Sequence, residues 1–174
     1  MSAQSAPALV PNVPVVKSAA LGLNMNVPWS RPVRVDDPFE GNFLAVFDRN
    51  YFPSRLLDAR RVDVVSLWSR QSIRVLLTDR ECIIGDFYDS LWGHTCVELG
   101  AAKKVSELLV KVGDRVFRTT GENGVFQVSE ELAKALQTAP DAKVNIRLVT
   151  ERGETVDSEI GTETVRAWKT VYAS

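Results

Sequence analysis

Three patterns of apolar and polar positions follow one another along the chain. The first runs to about residue 37 and is apolar but broken. Pro7, Pro11, Pro14, Pro28 and Pro32 interrupt Val10, Val13, Val15, Val16, Leu21, Leu23, Met25, Val27 and Trp29. Proline fixes one torsion and removes a backbone donor, so neither helix nor central strand is expected here. The segment is also too apolar for an ordinary disordered tail. An extended arm lying on a surface, its own or a partner's, fits the pattern. A flexible leader with chance valines is the alternative.

The second pattern, residues 36–53, admits two readings. Asp37-Pro38-Phe39-Glu40 has the order of helix cap, first-turn proline and capping-box acid. Phe39, Phe43, Phe47 and Tyr51 recur every four residues, as one helical face would. A short buried strand over Phe43 to Phe47 also fits, because Gly41 and Asn42 are weak helix formers. On either reading the aromatic stripe is expected in the core. Beyond Pro53 the pattern predicts a short helix near 54–60 and a strand near 62–69. Ile73 to Thr78 and Cys82 to Tyr88 then predict a hairpin about Asp79-Arg80-Glu81, with a bend at Gly85, and His94 to Leu99 a third strand. The run Val75-Leu76-Leu77-Thr78-Asp79, followed by Ile84-Gly85-Asp86-Phe87, resembles the first motif of Sm-like RNA-binding barrels. Arg80-Glu81 replace the turn glycine of that motif and no second motif follows, so no function is taken from the resemblance.

The third pattern alternates cleanly. Leu108 to Val112 and Arg115 to Thr119 flank Gly113-Asp114, and Gly121 to Gly124 makes a second turn before Val125 to Val128. Ser129 caps a helix over 130–138 with Glu130 and Glu131 in its first turn. Val144 to Thr150 and Thr155 to Ile160 predict another hairpin. Val165, Trp168, Val171 and Tyr172 have helical spacing, with a strand as the rival reading. The predicted fold is α+β: mostly antiparallel sheet in two small hairpin-rich modules, preceded by the proline-rich arm. The expected divisions are an arm over 1–37, a β-rich module with one or two short helices over 38–102, and an α+β module over 103–174. Gly100 to Lys104 marks the boundary.

Composition changes this picture little. Apolar residues make up 45% and charged residues 25% of the 174, as in ordinary globular domains. The net charge of −1 gives no global attraction to nucleic acid or anionic lipid. Charge is uneven, however. Arg55, Arg60, Arg61, Arg70, Arg74 and Arg80 face only Asp58, Asp63 and Asp79 over that stretch, a local net of +3. No apolar run reaches membrane-spanning length, and the start lacks the charged and continuous apolar regions of a secretory signal. Two cysteines, Cys82 and Cys96, make no disulfide framework, although one bridge is possible. A cytoplasmic location is expected.

The chemistry available is narrow. His94 is the single histidine, which excludes every two-histidine metal motif. Cys82, His94, Cys96 and a carboxylate would be an unusual zinc set, since their spacing matches no standard knuckle. His94 and Cys96 stand two residues apart on one strand, roughly 7 Å, too far for a nucleophile–base pair. Phosphate-cradling loops are absent, and Asp86 and Asp89 are singled out by nothing as an acid–base pair. No cofactor, metal or small-molecule substrate is therefore expected. The expected function is a non-enzymatic assembly or adaptor subunit whose partners are other protein subunits. Its arm would anchor through Val10, Val13, Val15, Val16, Leu23 and Trp29, with Arg60, Arg61 and Trp68 in a second contact surface. The alternative is a nucleic-acid-binding subunit using the six arginines named above, although +3 is modest for such a footprint. A third reading is an enzyme with an unrecognised cysteine or carboxylate site.

Overall fold

The computed structural model describes residues 12–53, 60–84 and 96–173, with side chains at all of them except 53, 60, 80–84 and 96–100. Their elements are β1 (Val15–Val16), β2 (Pro32–Asp37), β3 (Gly41–Pro53), β4 (Arg60–Ser69), β5 (Ser72–Ile84), β6 (Cys96–Lys103), β7 (Val105–Val112), β8 (Arg115–Glu122), β9 (Val125–Gln127), α1 (Glu130–Gln137), β10 (Val144–Thr150), β11 (Thr155–Ile160) and α2 (Thr162–Val171). The strands join in one sheet, ordered β1-β2-β3-β4-β5-β9-β8-β7-β10-β11, with β6 also paired to β5. The β1–β2 pair is parallel and the other strand pairs are antiparallel, so the fold is α+β and mostly strand.

Residues 41–53 form a strand, which settles the ambiguity there. Asp37 Oδ1 does accept the Phe39 and Glu40 amides, at 2.8 and 3.1 Å, much as a helix cap would. The chain then reverses instead of coiling, through Gly41 at φ +89°, a conformation that glycine adopts without strain. A spacing of four is even, so the aromatic positions share one face of a strand as well as of a helix. The stripe is only partly core: Phe47 is buried, Phe39 is 95% exposed and Tyr51 60%.

The hairpin expected about Asp79-Arg80-Glu81 is a correction. Those residues lie inside β5, opposite Val62, Arg61 and Arg60 of β4 and opposite Ala101, Gly100 and Leu99 of β6. Ladder pairing on both edges holds a polar triplet extended where its composition suggests a turn. Gly100 to Lys103 likewise belong to β6, and Lys104 alone separates β6 from β7. The largest apolar cluster draws on both sides of that point, from Val46 and Trp68 to Leu148 and Trp168. The helix expected near 54–60 and the bend at Gly85 lie outside the described residues.

The later elements form as their residues dictate. Ser129 Oγ accepts the Leu132 amide at 3.1 Å and opens α1. Gly124 lies against β5: its N–H reaches Val105 O at 3.0 Å, its carbonyl accepts Val75 N–H at 2.8 Å, and a Cβ there would stand 2.2 Å from Val75 O. Residues 162–171 are helical, so the apolar spacing prevails over the β-branched content. Trp68 and Trp168 meet in the large core with ring centroids 4.8 Å apart, and Trp68 Nε1 donates to Ser66 Oγ at 2.8 Å.

A second, smaller core lies on the opposite face of β2–β4. Ala19, Val33, Val35, Ala45, Phe47 and Leu67 form it, with Val16, Leu21, Met25, Val27, Trp29 and Phe43 packed alongside. Here the N-terminal segment docks on the chain's own sheet. Ala19 N–H donates to Asp37 Oδ2 at 2.9 Å, Arg34 N–H to Pro14 O at 2.9 Å, and Ser30 N–H to Phe47 O at 2.8 Å.

Candidate interaction surface

Alternation along β3 sends Phe47, Arg49 and Tyr51 to the face that carries the small core. The N-terminal segment covers Phe47: the Trp29 ring stands edge-on to it, centroids 6.4 Å apart. Beyond Phe47 the segment has turned into β2, and the strand emerges into solvent. Arg49 lays its guanidinium over the Trp29 ring, 4.7 Å from the centroid. Arg61, from β4, lies 4.1 Å over the Tyr51 ring and ties its Nε to Asp63 Oδ1 at 2.9 Å. Asp63 itself stands opposite Tyr51 in the β3–β4 register. Trp29, Arg49, Tyr51 and Arg61 thus make two arginine–aromatic stacks side by side, about 7 Å apart along the strand. Such stacks are worth roughly 0.5–1 kcal/mol each at exposed sites and hold long side chains in one geometry. Arg49 has no acidic partner among the described residues.

Of the residues expected at interfaces, the structure brings Trp29 and Arg61 onto this surface. Trp68 does not belong there: it has no exposed area and is filled against Trp168, because its position opposite Val46 and Ile73 faces the large core. Val16 packs into the small core, Val13 and Leu23 are half-buried, and Val15 is exposed beside β2. Of these four, Val16 anchors to this chain's own sheet. Val10 and Arg55 lie outside the described residues. Arg60 and Arg80 are placed only as backbone in β4 and β5.

The arginines do not form one stripe. Arg61, Arg74 and the Arg80 position share a face, and Arg60 falls on the other. Arg70 leaves the β4–β5 turn toward α1 and meets Glu130 at 3.0 Å, while Arg74 clamps Glu40 with both terminal nitrogens. Glu130 and Glu40 thus neutralise Arg70 and Arg74. The sequence reading places Tyr51 in the aromatic stripe expected in the core and does not single out Arg49, which a helical reading of 36–53 puts on another face. The signal that would have found them is the alternation Phe43, Ala45, Phe47, Arg49, Tyr51 against Leu44, Val46, Asp48, Asn50.

The opposite face of β3 carries a buried polar cluster. Asp48 is 4% exposed, and its Oδ1 is hydrogen-bonded to the Thr164 hydroxyl of α2. Burial pushes Asp48 up to about 6, with the Thr164 bond opposing that in part. Asn50 Nδ2 donates to Ser158 Oγ of β11 at 3.0 Å. A groove of about 440 Å³ lies elsewhere, lined by Leu109, Lys111, Val116, Arg147 and Asp157 of β7, β8, β10 and β11. Two of its charges are engaged in the Arg147–Asp157 pair, which holds the Asp157 carboxyl below its ordinary range. Among the described residues no group of three or more His, Cys, Asp or Glu is arranged to hold a metal ion. Among the same residues no helix is long and apolar enough to cross a membrane. Comparison with known proteins finds no matching family model, no matching curated protein and no matching solved structure.

Proposed function

We propose that the chain is a non-enzymatic assembly or adaptor subunit that binds other proteins through the surface of Trp29, Arg49, Tyr51 and Arg61. The observation that carries this is the pair of arginine–aromatic stacks on an exposed sheet face. Tryptophan, tyrosine and arginine are the residues that most often dominate protein–protein binding energy. Here they are held in place before any partner arrives, which reduces the ordering cost of association. The N-terminal segment contributes by building this surface and supplying Trp29. The parts up to residue 102 would carry the contact, and residues 103–174 would support them from the large core. The cytoplasmic expectation is kept on cysteine usage.

The second reading is binding to single-stranded nucleic acid, favoured by Arg49, which has no acidic partner among the described residues. Against it, a guanidinium already covers one face of each ring on which a base would stack. The two readings separate in one experiment. Tagged wild-type chain and an Arg49→Glu/Tyr51→Ala variant are recovered from the source cell and weighed by native mass spectrometry. The expected result is a defined protein partner on the wild type, absent from the variant at an unchanged melting temperature. A partner retained by the variant, or nuclease-sensitive RNA in place of protein, overturns the proposal.

A further inference from the structure

Asp48 is an ionisable group set among apolar positions. Val46 precedes it on the same face and is fully buried, and Phe52 packs against the same large core. Thr164, fully buried, bonds Asp48 Oδ1, and its Oγ1 stands 3.0 Å from Ser30 Oγ. A hydroxyl has one proton to give, so Thr164 donates to one of Asp48 Oδ1 and Ser30 Oγ and accepts from the other. The chain of bonds linking Ser30, Thr164 and Asp48 crosses three separate elements: the N-terminal segment, α2 and β3. Ser30 is pinned for this role in the left-handed region, at φ 61°, by its amide bond to Phe47 O. Gly161 opens α2 without a side-chain cap, so Thr164 supplies a side-chain tie from the first turn of that helix to the sheet.

We infer that Ser30, Thr164 and Asp48 form a protonation-sensitive latch, which holds the N-terminal segment and the start of α2 against β3 and slackens when Asp48 ionises. A neutral carboxyl fits this buried site. A carboxylate there has one hydroxyl donor, at Oδ1, and little access to water, so an opening that admits more water becomes favoured. The surrounding charges do not compensate. From α2, Glu163 and Arg166 are exposed, and Arg166 reaches toward Asp141 at 3.4 Å. From β11, Glu159 pairs with Lys143 at 2.8 Å. From β4, the residue opposite Asp48 is Ser66, and Asp63 falls on the other face. From the N-terminal segment, Arg31 is exposed and Lys17 bonds Asp36. Arg49 turns away over Trp29. Tyr172, the buried phenol of the C-terminal region, is kept neutral by its burial. The latch lies across β3 from the proposed binding surface, and its test uses no partner.

The test is amide hydrogen exchange on the full chain, corrected for intrinsic rates, at pH 5 and pH 7.5. Amides near Ser30, Phe47 and Thr164 are followed, with those of β10 as control. The expected result is a loss of protection of about tenfold at the higher pH around the latch, given a carboxyl titrating near 6. Asp48→Asn, which keeps the acceptor and cannot ionise, should abolish that difference. A carbon-13 titration of the wild-type Asp48 carboxyl gives a readout independent of any variant, with a midpoint near 6 expected. Equal protection at both pH values, the same pH dependence in Asp48→Asn, or a midpoint below 4.5 each overturns the latch.

Discussion

The two faces of β3 are built from the same alternation and end up in opposite conditions. One face passes from Phe47, sealed by Trp29, to Arg49 and Tyr51, which stand in solvent. The other passes from Val46 to Asp48 and Asn50, which are sealed by α2 and β11. On the open face, polar and aromatic side chains cost nothing to keep solvated, and their stacking holds them in one geometry. On the closed face, each polar group must find a bond inside the protein, and an ionised one remains under-solvated. The proposed recognition belongs to the first face and the proposed sensitivity to protonation to the second. Substitutions on the two should fail in different ways.

The largest effect is expected deep on the closed side. Trp68→Ala empties a fully buried site against Trp168. It should lower the free energy of unfolding by about 3–5 kcal/mol, a large part of the roughly 5–15 kcal/mol typical of a domain. Chemical denaturation checks this. A loss below about 1 kcal/mol would return Trp68 to the surface role that its composition suggested.

Asp48→Asn comes next, with the opposite sign at neutral pH. Because its carboxyl titrates near 6 in the folded chain and near 3.8 when unfolded, the folded state holds the proton more tightly. The stability this contributes is complete below 3.8 and lost as pH rises through 6. Removing the ionisation should make the chain more stable than wild type above pH 6.5 by up to about 3 kcal/mol, and leave it little changed near pH 4. Denaturation curves of both chains across that range give the difference directly. The comparison must be taken between the chains, since Asp36, Asp37 and Asp141 titrate below their ordinary range and pull total stability the other way. A variant less stable than wild type at pH 7 would show that the carboxylate is satisfied where it sits.

Much of this contrast was legible along the chain where local pattern and tertiary pairing agree. The second half reads nearly residue for residue, because Gly113, Gly124 and Gly153 turn with positive φ and Ser129 caps in place. The first half resisted for two physical reasons. Asp37-Pro38-Phe39-Glu40 makes the same local bonds in a reversing turn as in a helix start, so sequence alone could not separate them. Asp79-Arg80-Glu81 is held extended by ladder pairing on both edges, with β4 on one side and β6 on the other. The surface itself was half visible. Trp29 and Arg61 were identified by residue type, whereas Arg49 and Tyr51 needed the register of β3, and Trp68 needed the knowledge of which face closes.

The smallest effect is expected on the open face, and it decides what a binding defect would mean. Arg49→Ala removes a guanidinium from the Trp29 ring, and Tyr51→Ala removes a ring that is 60% exposed. Each should change the free energy of unfolding by no more than about 1 kcal/mol, the scale of an exposed cation–π contact. Thermal and chemical denaturation of the two single variants measure it. Were either to cost 3 kcal/mol, the stacks would be part of the structural frame, and loss of a partner in the double variant would report damage to the fold. A near-neutral result leaves the arginine–aromatic pairs ordered without being needed for folding, which is the condition a dedicated contact surface has to meet.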